Sequence, residues 1–131
     1  MKKISLKTAT DENFYKSLNE SLDLVLPVKV GYALSKIKKQ VDSEVSIFNE
    51  QRSKLLKNHC KIDENGELIL TENSHATFIS PETSKQFSDN IEQLLKIEFE
   101  VYPLKLEHLI EAKELKGAYV SGLMPIILEE G

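Results

Sequence analysis

Apolar residues recur at steps of three and four across residues 27–59. Val30, Leu34, Ile37 and Val41 lie on one stripe, which Val45, Phe48 and Leu55 continue. That spacing predicts an amphipathic helix. Pro27 suits its first turn, where a missing N–H costs nothing, and Asn58 suits its stop. Gly31 costs about 1 kcal/mol against alanine and would let a neighbouring backbone come close. At about 1.5 Å per residue the helix would run roughly 50 Å, longer than the body that so short a chain folds around it. Glu44, Gln51 and Arg52 interrupt the stripe, unlike the sustained heptads of a plain coiled coil. Packing against the preceding helix and against a second subunit is therefore expected. The self-association surface is placed on Val30, Leu34, Ile37, Val41 and Phe48.

The rest of the pattern predicts shorter elements. Residues 2–8 alternate, with Ile4 and Leu6 on one face, as a half-buried strand does. Thr10 or Asp11 can cap a helix carrying Phe14, Leu18, Leu22 and Val25 on one face, which must stop by Leu26 because proline follows. Asp63-Glu64-Asn65-Gly66 reads as a hairpin turn between short strands, with residues 67–71 and 76–79 extended. Ser80 and Pro81 open a helix through residue 96, with Phe87, Ile91, Leu94 and Leu95 as its buried stripe. The clearest strand follows, where Ile97, Phe99 and Val101 alternate with Glu98, Glu100 and Tyr102 up to Pro103. Residues 106–112 predict a short helix and residues 116–127 another, bent or ended near Pro125. The fold class is α+β: a long N-terminal amphipathic helix packed with shorter helices and a small antiparallel sheet. The chain is expected to be one domain over residues 1–131, helical over about 11–59 and mixed over about 60–131.

Composition narrows the class. Of 131 residues, 40% are hydrophobic and 29% charged, the balance of an ordinary globular protein. The apolar stretch at residues 22–28 is already broken by Asp23, so no segment is expected to span a membrane. No apolar run of seven follows the initial Met-Lys-Lys, which argues against a secretory signal, and the single Cys60 fits a reducing compartment. Cytoplasm is the expected location. Residues 1–60 hold 11 Lys and Arg against 7 Asp and Glu, while residues 61–131 hold 6 against 14. Those opposite halves attract each other within or between subunits. Seven acids interspersed in the basic half argue against nucleic acid.

No pattern carries chemistry strongly. Asp63, Asn65, Gly66 and Glu67 resemble part of a calcium loop, but the twelfth position is Asn73, which lacks the bidentate charge such a loop needs. His59 and Cys60 are adjacent and His75 and His108 isolated, so no zinc spacing exists. Glu98 and Glu100 share a strand face, where a solvated edge is the plainer reading than acid–base work. Phosphate-cradling glycine motifs are absent. No catalytic residue, cofactor or metal is expected, and the chain is read as a non-enzyme.

The order of "LPVKVGYALSKI" at 26–37, "FNEQRSKLLKNH" at 48–59, "DENGEL" at 63–68, "LLKIEFEVYPLKL" at 94–106 and "GLMPII" at 122–127 resembles a known family. These are small uncharacterised proteins encoded by tailed bacteriophages and prophages of low-GC bacteria. The resemblance implies a phage protein made in the cytoplasm of its bacterial host, and it implies no activity. The function expected is that of a phage accessory protein, a homo-oligomer of two or more copies that binds a phage or host protein in virion assembly or host takeover. The alternative is an oligomeric inhibitor that sequesters a small anionic ligand, such as a nucleotide signal of host defence. Lysines with Tyr32 or Tyr102 at a subunit interface would grip it by charge and stacking.

Overall fold

Short polar side chains set where the helices begin, and the structure, a computed structural model, describes residues 2–71, 75–110, 112 and 117–128. Along the chain run β1 (Lys2–Ser5), α1 (Leu6–Ala9), α2 (Glu12–Leu22), α3 (Val28–His59), α4 (Pro81–Leu95), β2 (Glu98–Val101), β3 (Leu104–Lys105), α5 (Leu106–Ile110) and α6 (Gly117–Leu123). A 3-10 turn at Met124–Ile126 and β4 (Ile127–Leu128) follow. The α+β class and the long helix read from the sequence are both present. Asp11 caps α2 by accepting from the Phe14 amide at 3.1 Å. Ser80 caps α4 in a reciprocal box, its Oγ accepting from the Thr83 amide while its own amide donates to Thr83 Oγ1 at 3.0 Å.

Two differences from the pattern have local causes. The alternation over residues 2–8 holds only to Ser5, whose Oγ accepts from the Thr8 amide at 3.2 Å and starts α1. The helical piece of residues 116–127, expected to bend or end near Pro125, stops at Leu123. Pro125 sits in the 3-10 turn that leads into β4, a strand the pattern does not predict. The closing residues 129–131, the segment 72–74 and Lys116 at the expected helix start lie outside the described residues.

Contacts divide the chain into two units, and the division falls inside α3, at Val45, not at its end. Unit one comprises Met1–Val45 and Ile97–Gly131. In it β1 pairs antiparallel with β2, Ile4 facing Phe99 and Lys3 facing Glu100. β3 pairs with β4 in parallel, Leu104 facing Ile127. Its core gathers Ile4, Phe14, Leu18, Val30, Leu34, Ile37, Val41, Val101, Leu104, Leu109, Leu123 and Ile126.

The stripe assigned to self-association is therefore used up inside the chain. Val30, Leu34, Ile37 and Val41 are fully buried. Their cover comes from α2, β1, β2 and the segments after residue 100, all within the same unit. A side chain already removed from water has no apolar surface left to offer a partner. Phe48, the fifth residue of that assignment, is also buried, within the other unit.

The close backbone approach expected at Gly31 occurs instead at Gly122. Nothing lies within 4 Å of a Cβ built on Gly31, whereas one on Gly122 would stand 2.6 Å from Ser17 Cβ and 2.0 Å from its Oγ. Gly122 thus lets α6 lie against α2. A polar clasp adds to this unit: the Tyr15 hydroxyl donates to Asp42 Oδ1 at 2.9 Å and accepts from Lys38 Nζ at 3.0 Å. Lys38 also pairs with Asp42 one turn along α3. Burial pulls the Lys38 ammonium down, but bonds to Asp42 and Tyr15 outweigh it and hold the group above its ordinary value. Since the folded chain holds this proton more tightly, the clasp contributes fully below the usual lysine range and fades as pH rises through it.

Unit two is Ser46–Lys96. After α3, three short segments bond in a ring: the Lys61 amide donates to Thr77 O at 2.7 Å, Thr77 to Ile69 O at 3.2 Å, and Ile69 to Lys61 O at 3.0 Å. Phe78 of this ring packs on Phe87 of α4 with centroids 5.5 Å apart. The turn between the first two segments is the Asn-Gly hairpin, with Gly66 at φ +77°. Among the described residues of this unit, only Phe48 and Cys60 are buried. The amphipathic α4 has no buried residue.

Candidate functional site

Tyr32 points away from the core stripe, two residues past Val30, and is 57% exposed. Pro103 ends β2 and sets Tyr102 beside it. Tyr32 and Tyr102 meet edge to face, centroids 5.8 Å apart and planes 80° apart. The backbone amide of Tyr102 donates to Gln40 Oε1 at 2.7 Å, which fixes the strand end against α3.

A cleft of about 500 Å³ opens beside the two rings. Lys29, Lys105 and His108 line it together with Val28, Tyr32, Tyr102 and Glu107. Its size falls within the roughly 300–1,000 Å³ usual for small-molecule sites. His108 Nε2 stands 3.7 Å from Glu107 Oε1. Lys29 and Lys105 have no carboxylate partner among the described residues. On its other side Tyr32 borders a shallower depression with Ser35, Lys36 and Lys39. From there the Lys36 ammonium lies 5.1 Å from the Tyr102 centroid and 5.9 Å from that of Tyr32. The arrangement offers flat aromatic surface next to four lysines and one acid.

The other residues weighed for chemistry sit apart. Asp63 Oδ1 accepts from the amides of Asn65 at 2.9 Å and Glu67 at 3.0 Å, so the calcium-like loop uses its first carboxylate to hold its own turn. Glu98 and Glu100 are exposed on β2, with Lys3 opposite Glu100. Burial pushes the Cys60 thiol up, away from the thiolate a nucleophile needs. Among the described residues no three His, Cys, Asp or Glu side chains gather closely enough to hold a metal ion. None of the described helices is long and apolar enough to cross a membrane.

The sequence offered Tyr32 and Tyr102 only as alternatives at a subunit interface. The structure brings both together within one unit of one chain. The readable sign was Tyr32 itself, a large aromatic off the buried stripe. Its partner lies seventy positions away, beyond any local pattern. No family model, no curated protein and no solved structure matches this chain.

Proposed function

We propose that this chain is a non-enzymatic phage accessory protein that works by self-association and protein binding through its Ser46–Lys96 unit. The observation that supports this most is the apolar surface left uncovered there. Ile62, Ile69, Leu70 and Ile79 are each between 43% and 56% exposed, all on or beside the hydrogen-bonded ring. The pairings of Ile62 with Leu68 and Leu70 with Ala76 set Ile62 and Leu70 on one face of these segments, and Ile69 and Ile79 fall on the other. Apolar surface left this exposed marks an interaction surface. α4 adds a stripe of Phe87, Ile91, Leu94 and Leu95 that is only half-covered.

The occupant we propose is a second copy of the chain. The end of α3 carries Arg52, Lys54 and Lys57 against Glu50, whereas α4 carries Glu82, Asp89 and Glu92 against Lys85. Two copies set head to tail bring these opposite charges together. The bacterial cytoplasm and the phage setting rest on the family resemblance. A phage or host protein would then be bound by the assembled form.

Light scattering across a concentration series tests this reading. The mass is expected to rise from 14.9 kDa to at least twice that figure. The double substitution Leu70→Lys with Ile79→Lys is expected to return it to one copy. Both positions are exposed, so the change should leave stability within about 0.5 kcal/mol. A wild-type mass of one copy at every concentration would sink the reading.

A further inference from the structure

We infer that the Tyr32–Tyr102 cleft of the Met1–Val45 and Ile97–Gly131 unit is a binding site for a mononucleotide, with its base against the tyrosines and its phosphate held by Lys29 and Lys105. The inference is independent of self-association, since every residue of the cleft belongs to one unit of one chain.

Four observations converge. The cleft of about 500 Å³ is large enough for a small molecule. Its wall includes two tyrosines packed edge to face at 80°, the kind of aromatic surface a flat heterocycle packs on. Lys36, the cation placed over these rings, lines the shallower depression and is not among the residues of this cleft. Lys29 and Lys105 stand at the same cleft, while its one carboxylate, Glu107, lies 3.7 Å from His108.

A flat ring alone would use the tyrosines and waste the lysines. An inorganic anion would do the reverse. A ligand carrying both a base and a phosphate uses the whole site. The lysines act as point charges on phosphate, suiting capture without close geometric control. The role assigned is binding alone: the tyrosines and lysines hold the nucleotide, and no reaction is assigned to the Glu107–His108 pair beside them.

Thermal melting with AMP, GMP, CMP, UMP, adenosine, inorganic phosphate and a thymidine decamer tests the inference. At least one mononucleotide at millimolar concentration is expected to raise Tm by about 3 °C or more, with adenosine and phosphate each giving far less. Tyr32→Ala is expected to weaken that ligand about tenfold, the usual effect of one lost stacking partner. Tyr32→Ala also removes the edge-to-face contact with Tyr102, so its ligand-free Tm should fall by a few degrees, and the shift is read against each variant's own ligand-free Tm. Lys29→Glu with Lys105→Glu is expected to abolish the shift. The inference is overturned if no mononucleotide stabilises the chain, if the shift survives Tyr32→Ala, or if only the decamer binds, with the steep salt dependence of a nucleic-acid surface.

Discussion

Ile37→Asp is expected to unfold the Met1–Val45 and Ile97–Gly131 unit and not merely to separate copies. Ile37 is fully buried among Leu34, Val41, Phe14, Leu18 and the residues of β2 and α6. A carboxylate placed there has no partner and no water. The cost exceeds about 4 kcal/mol, because the lost apolar contacts add to the penalty of an unpaired buried polar group. That is a large part of the ~5–15 kcal/mol that holds a domain folded. Circular dichroism should record loss of the cooperative melt. A variant that melted like the wild type while its mass halved would instead restore the stripe as an interface.

Gly122→Ala is expected to destabilise the same unit by about 2 kcal/mol, against the direction helix propensity alone gives. Gly122 lies in α6, where alanine would ordinarily add about 1 kcal/mol. A Cβ there would stand 2.6 Å from Ser17 Cβ, an atom that no rotamer change can move. α2 and α6 must therefore separate, a form of overpacking that costs about 1–3 kcal/mol or more. Urea denaturation measures the sign directly. Gly31→Ala, with open space around it, is the control and should stabilise slightly. Ser17→Gly combined with Gly122→Ala should recover part of the loss, since the clash needs both side chains.

The elements were largely legible because their signals are local. Periodicity and caps placed α2, α3, α4 and β2 within a few residues, and Asp11 and Ser80 start the helices their chemistry predicts. The identity of the partner for the α3 stripe was not legible. A repeat of Val30, Leu34, Ile37 and Val41 states that a face is buried, not which segment buries it. The covering residues Val101, Leu104, Leu109, Leu123 and Ile126 lie sixty or more positions downstream of Leu34. β3 and β4 have two residues each, too few to display any alternation. The close approach was expected at Gly31 because that glycine lies on the longest helix, but close packing depends on the opposing face, and Ser17 opposes Gly122.

The candidate surfaces follow the same rule. Exposed aliphatics such as Leu70 and Ile79 looked like ordinary strand residues, and only their exposure sets them apart. The tyrosine corner depends on Pro103 ending β2 where Gln40 can hold the Tyr102 amide, a contact across 62 positions.

Amide hydrogen exchange on residues 30–41, followed over a hundredfold dilution, probes most directly whether the long helix is covered by its own chain. Slow exchange that stays the same at every concentration is the predicted result, because the cover travels with each molecule. Protection that falls away as the protein is diluted would contradict the account and return the apolar face of α3 to an interface between copies.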